Sequence, residues 1–276
     1  PHLVLARSLS ILLLHGSPAR LGVQVLSFSL FLLLLLLPLL LRRLVSLYCS
    51  HPSLLPDAAS LAAGSACPVP YNILMSSCLG HGLPRQALAA YQQMLSSAAV
   101  TPDAFTYPSV LRACAEARDL AMGRAVHTHA AAAGMDGHLF FQNALVSMYA
   151  KCGDLVAARR VFDGMLERNT IAWNAMVSCY VRNGDVTMAR RLFDAMPSKD
   201  VTSWNSMLTG YCHSRQMVDA WHLFEQMPER NLVSWTVVIS GYARIEQHRK
   251  AWDIFCMMHR EGVSPDQSNF ASVLLA

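Results

Sequence analysis

Along residues 170–200, TIAWNAMVSCYVRNGDVTMARRLFDAMPSKD, apolar and polar positions alternate with a helical beat. Trp173, Met176, Val177 and Tyr180 fall at i, i+3, i+4 and i+7, one stripe of a helix. Asn183-Gly184 interrupts the stripe with a stop-and-turn signal. Asp185 follows, placed to cap a second helix by accepting a backbone N–H. Ala189, Leu192, Phe193 and Met196 form the second stripe, and Pro197 ends it. The stretch is predicted to be a helix–turn–helix hairpin.

The same pattern recurs. Trp173, Trp204 and Trp235 are 31 residues apart, as are Asn143, Asn174 and Asn205, with Thr236 in the next slot. Tyr149, Tyr180, Tyr211 and Tyr242 keep that step, and so do Ala158, Ala189, Ala220 and Ala251. Phe162, Phe193, Phe224 and Phe255 run parallel to Met165, Met196, Met227 and Met258. Columns in one register define an internal repeat. The repeats are read as 68–103, 104–138, 139–169, 170–200, 201–231 and 232–266, with another beginning at Gln267. A single hairpin cannot bury both of its stripes, whereas stacked neighbours can. The predicted fold of 67–276 is therefore all-α, a right-handed superhelical solenoid. The alanine column fits this, because a small side chain lets paired helices approach.

Residues 1–66 follow a different pattern. No Asp or Glu precedes Asp57, while Arg7, Arg20, Arg42 and Arg43 are present. Such a leader has the composition of an organelle transit peptide. Leu21–Leu41 is also nearly all apolar and long enough for a membrane-spanning helix. Transit peptide, membrane anchor and translated non-coding sequence are three readings of this segment. A start at Pro1 and a stop inside a repeat read as a fragment or an imperfect gene model.

Composition narrows the function classes. Of 276 residues, 53% are hydrophobic and 14% charged, which excludes a disordered chain. The net charge of +4 is compatible with a polyanionic partner. The eight cysteines form no C-x-x-C pair and are read as reduced core residues rather than a disulfide framework or zinc site. His259-Arg260-Glu261 matches half of a zinc-deaminase signature but lacks the Pro-Cys-x-x-Cys partner. No phosphate-binding glycine loop is present. The expectation is a non-enzyme without metal or cofactor.

WNAMVSCYVRNGDVTMARRLFDAMP and WTVVISGYARIEQHRKAWDIFCMMHREGVSPD resemble pentatricopeptide repeats. The mixed lengths resemble the plant subclass that alternates standard, long and short motifs. FTYPSVLRACAEARDLAMGRAVHTHAAAAGM is similar to its long motif and NALVSMYAKCGDLVAARRVFDGM to its short one.

The resemblance implies sequence-selective binding of single-stranded RNA in a mitochondrion or plastid, at one base per repeat. It implies service in RNA editing, processing or stabilisation, with an editing deaminase or another processing factor as a partner in trans. It further implies that a first-helix residue (Asn72, Asn143, Asn174, Asn205, Thr236) and a repeat-end residue (Asp103, Asn169, Asp200, Asn231, Asp266) read each base edge. Val69, Phe140, Ile171, Thr202 and Val233 would pack on base faces. Asn with Asp implies uracil, Asn with Asn a pyrimidine, and Thr with Asp guanine. The repeat with Pro108 and His138 has no assigned base.

Chemistry supports the pairing independently. An amide carries both a donor and an acceptor, and its neighbour can fix which way it points. Plainer readings stand beside these. The Asn column and the repeat-end column could be helix caps or loop residues. The aromatic and methionine columns read as core. Arg159, Arg160, Arg190 and Arg191 read as solvated surface. A protein-binding repeat scaffold, or a membrane-anchored array, is the alternative function.

Overall fold

The computed structural model describes residues 40–97 and 100–274. The apolar run 21–41 lies outside the described residues except for its last two. Among the described residues no helix is long and apolar enough to cross a membrane. The chain divides into two compact units, Pro1–Thr106 and Tyr107–Ala276.

In the first unit, residues 40–48 are helical. A 3-10 turn at Pro52–Leu54 then leads into α1 (Leu55–Ala63). The hairpin α2 (Val69–Gly80) and α3 (Pro84–Ser96) follows. The part of the leader from residue 40 onward is thus built into the fold. Leu55, Ala58 and Ala62 make a buried stripe at i, i+3 and i+7, and α1 lays it on α2. Pro84 occupies the first turn of α3, where no N–H is needed.

The second unit contains five further pairings. They begin with α4 (Thr106–Ala117) and α5 (Leu120–Ala132), then α6 (Leu139–Cys152) and α7 (Leu155–Gly164). Next come α8 (Thr170–Arg182) with α9 (Val186–Ala195), and α10 (Val201–His213) with α11 (Met217–Glu225). The last are α12 (Leu232–Arg244) with α13 (His248–Arg260), against which α14 (Gln267–Leu274) packs. Among the described residues the secondary structure is helical, without strands, as the periodicity predicts.

Each column has a physical task. First helices α6, α8, α10, α12 and α14 pack one on the next, and the second helices α7, α9, α11 and α13 each pack on their own first helix and on the following one. Ala158, Ala189, Ala220 and Ala251 are completely buried at these crossings. Ring contacts join the repeats: Phe162 meets Trp173 edge-on at 4.9 Å, Phe193 meets Trp204 at 5.0 Å, and Phe224 meets Trp235 at 4.8 Å. The repeat-end basic residues close the second helices. Arg168 donates to the carbonyls of Phe162 and Asp163 (both 2.9 Å), and Arg230 to those of Phe224 and Glu225 (both 3.0 Å). These satisfy carbonyls a helix end leaves open.

The cysteines are free, and Cys49, Cys78, Cys114, Cys179 and Cys212 are buried. Burial pushes the thiols of Cys114 and Cys212 up to about 12, so they remain protonated and inert. Cys67 departs from the core reading: it is exposed, in the turn between α1 and α2.

The interhelical turns share one strained position. Gly153 (φ 84°), Gly184 (φ 78°), Arg215 (φ 61°) and Glu246 (φ 62°) all take the left-handed conformation, 31 residues apart. Glycine does so without strain, whereas a side chain there costs about 1 kcal/mol. Arg215→Gly should therefore stabilise the fold by about 1 kcal/mol and Gly184→Ala should weaken it comparably. Urea-unfolding midpoints check both signs.

Candidate functional site

Three repeat-end residues, Asn169, Asp200 and Asn231, prove to be the N-caps of the next repeat's first helix, and Asp103 and Asp266 accept from N–H groups at the next helix start. Asp200 Oδ1 accepts from Ser203 N (2.8 Å) and Ser203 Oγ (2.8 Å), closing a capping box at the start of α10. Asn231 Oδ1 does the same with Ser234 N and Oγ (both 3.0 Å) at α12. Asn169 caps α8 through Ala172 N (3.1 Å). In the first unit, Asp103 Oδ1 accepts from Phe105 N, Thr106 N and Thr106 Oγ1. The plain capping reading of this column is correct as far as it goes.

The cap oxygens have a second use. Asn174 Nδ2 donates to Asp200 Oδ1 (3.0 Å), and Asn205 Nδ2 to Asn231 Oδ1 (3.3 Å). Asn72 Nδ2 donates to both oxygens of Asp103 (3.0 and 3.2 Å). The first-helix residues themselves are not caps. They lie inside α2, α6, α8, α10 and α12, beyond the first turn. Three of the pairs drawn from sequence are therefore direct hydrogen-bonded pairs.

The other two differ. Asn143 is 5% exposed, and neither of its amide atoms has a hydrogen-bond partner among the described residues. It does not reach Asn169. Thr236 donates to Leu232 O (2.7 Å) within its own helix, which leaves its oxygen as an acceptor for Asn269 Nδ2 (3.0 Å). Asn269 also donates to Asp266, so a third side chain links Thr236 with Asp266.

Of the apolar column, Phe140, Ile171 and Val233 are 79%, 59% and 54% exposed. Thr202 is also exposed and Val69 half-buried. Exposure alone does not set them apart, since Val156, Leu166 and Val218 are as exposed; their recurrence two residues after the repeat-end column does. Ile171 and Asn174 share a cleft of about 210 Å³ between α6 and α8 with Ser147, Ser178, Lys151 and Arg182.

Two features escape the sequence reading. Phe105, 77% exposed, holds the apolar position in the repeat that received no base; its signal was its place two residues after Asp103. Lys151, Arg182, His213 and Arg244 recur every 31 residues in the last turns of α6, α8, α10 and α12, all exposed. That column sits eight residues after the Asn column and was legible by spacing alone. A basic residue at a helix C-terminus is also favourable to the helix itself.

For Asp200, burial pushes the carboxyl pKa up, but hydrogen bonds from Asn174 and Ser203 outweigh it and hold the value below its ordinary range. Because the folded pKa is the lower one, this stabilisation is complete above about pH 4 and lost as pH falls through the folded value. Asp200→Asn keeps a cap oxygen and cannot titrate. It should show a shallower loss of stability in acid than the parent, whereas Asp200→Ala should lose about 1 kcal/mol at neutral pH. Thermal unfolding across pH 2–7 measures both, the window being set by an ordinary Asp value of roughly 3.9.

The sequence profile of the PPR repeat family matches residues 199–232 and 230–274, and that of the PPR repeat matches 69–97, 143–170 and 171–201. An Arabidopsis thaliana pentatricopeptide repeat-containing protein is 36% identical over 136 residues, 49% of this chain and 19% of the relative. A second from that plant, named chloroplastic, is 40% identical over 103 residues, 37% of this chain and 12% of its own length. A third, named mitochondrial, is 38% identical over 105 residues, 38% of this chain and 14% of its own. The chain thus spans less than a fifth of these relatives. The crystal structure of the pentatricopeptide repeat protein PPR10 from maize aligns with a TM-score of 0.53 at 19% identity, covering 85% of this chain and 40% of that one, a likeness of fold. With matched repeats covering more than half its length, the chain belongs to the pentatricopeptide repeat family.

Proposed function

We propose that the chain binds single-stranded RNA at about one base per repeat, the first-helix and repeat-end residues reading each base edge. The observation that carries this is the amide geometry at Asn174. Its Nδ2 is committed to Asp200, and its Oδ1 is buried without a partner among the described residues. It lines the cleft that holds exposed Ile171. A buried acceptor left unpaired costs about 1–3 kcal/mol, which a base N–H would relieve.

The cap explains how Asp and Asn differ. Both must present an oxygen to the helix start. Asp then has a second acceptor oxygen to offer, whereas Asn has an NH2 donor. Asn174 with Asp200 suits uracil, whose edge carries an N–H donor. Asn205 with Asn231 supplies a donor and an acceptor and takes either pyrimidine. Exposed Phe140, Ile171 and Val233 would lie against base faces, an aromatic contact contributing about 1–3 kcal/mol. Lys151, Arg182 and Arg244 would meet phosphates.

Read N to C as 5′ to 3′, the repeats favour uracil, an unassigned base, pyrimidine, uracil, pyrimidine and guanine. The steps of 31 and 35 support the plant subclass of alternating motif lengths. The names of the relatives support a mitochondrion or plastid as the setting. There the chain would mark a transcript site for editing, processing or stabilisation, with a deaminase or other factor supplying chemistry in trans.

Anisotropy titrations with a labelled six-nucleotide RNA across a salt series test the reading. Log affinity should fall linearly with log salt, and replacing Lys151 and Arg182 by alanine should shallow the slope by about 0.7 for each phosphate no longer neutralised. Asn174→Thr should move the preference at the fourth base toward purine. A chain without RNA affinity or salt slope would instead be a protein scaffold.

A further inference from the structure

Each repeat-end residue is followed, three positions on, by the residue whose N–H it caps: Thr106, Ala172, Ser203, Ser234 and Asn269. These side chains differ, and the site differs with them. The one proton of Thr106 Oγ1 lies within reach of both Asn72 Oδ1 (2.8 Å) and Asp103 Oδ1 (2.8 Å), so this hydroxyl touches both members of its pair. Asn269 likewise touches both Thr236 and Asp266. Ser203 and Ser234 hold only the cap oxygen, and each cap oxygen accepts the preceding Asn. Ala172 has no polar atom to add. Ahead of it, Asn143 is the one first-helix Asn, among the described residues, with both amide atoms unpartnered.

We propose that this third side chain, contributed by the following repeat, is a specificity-determining residue. It fixes the cap oxygen, and through it the direction of the amide that faces the base. The inference rests on the RNA-binding reading above. An amide held by its neighbours presents one pattern of donor and acceptor, while an unheld amide can turn over and accept either. Thr106 and Asn269 hold the reading residue directly, the two serines hold it through the cap, and Ala172 leaves it free to turn.

The chain contains its own control. Asn143 with Asn169 and Asn205 with Asn231 are the same Asn–Asn pair, followed by Ala172 in one case and Ser234 in the other. The full chain is titrated with single-stranded six-nucleotide RNAs carrying each of four bases at the third or the fifth position. The parent should discriminate pyrimidine from purine at the fifth position by about fivefold or more, the lower end for a base-edge contact, and less at the third. Ala172→Ser should raise discrimination at the third position. Ser234→Ala should lower it at the fifth, and Ser234→Thr should retain it. Thermal midpoints are measured in parallel, since loss of a hydroxyl from a capping box alone would lower stability without moving base preference. Equal discrimination at the two positions, or preferences unmoved by the exchanges while RNA still binds, overturns the role of the third side chain alone. Absence of binding to every oligonucleotide overturns the RNA reading and this one together.

Discussion

A helix must find partners for the N–H groups of its first turn, and at α10 and α12 the side chain that does so also accepts an amide from the preceding repeat's first helix. The oxygen that caps α10 accepts the amide of Asn174, and the one that caps α12 accepts that of Asn205. Two demands thereby meet on one atom. Because a cap needs an acceptor, the position is confined to Asp and Asn throughout the pairs described. Because the acceptor is fixed, the neighbouring amide has its NH2 turned inward and its carbonyl turned away. Chemical variety at the capping position itself lies in what the residue does with its other atom, oxygen in Asp and nitrogen in Asn.

Packing supplies the rigidity that this arrangement needs. The edge-on Phe–Trp contacts and the alanine crossings set the spacing of successive first helices. A first-helix amide and the next repeat's cap then fall within hydrogen-bonding distance across 26 residues of chain. Arg230 finishes the second helix on the way from Asn205 to Asn231. Buried polar pairs hold their geometry best when the surrounding side chains have settled rotamers.

The repeat, its hairpin and its core columns were legible in the sequence because they rest on periodicity, which a single chain displays. The pairing of Asn174 with Asp200 was legible through the family resemblance, which the register of the two polar columns let be mapped onto these positions. What escaped was of two kinds. Lys151, Arg182, His213 and Arg244 were visible as a column but vary in residue type, so identity-based reading passed over them. Thr106 and Asn269 could not be found by a template of pairs, because their importance comes from reaching a residue more than thirty positions away. Asn143 marks the converse case: it has the expected residue type in the expected register, yet its amide goes unmatched, since the contact depends on side-chain placement rather than spacing. Helical structure in residues 40–66 was hidden by a composition that also fits a leader.

The half-and-half ownership of each pair bears on how such arrays grow. One member lies inside a first helix and the other opens the next, so no hairpin holds both halves, and the pairs of Asn174 with Asp200 and of Asn205 with Asn231 close only at a junction. Copying a 31-residue window that carries Asn174 or Asn205 keeps this register, so the copied amide again stands 26 residues ahead of a capping residue. Lengthening by duplication therefore keeps both halves of a pair in register at the new joint, and the array can grow by one pair at a time.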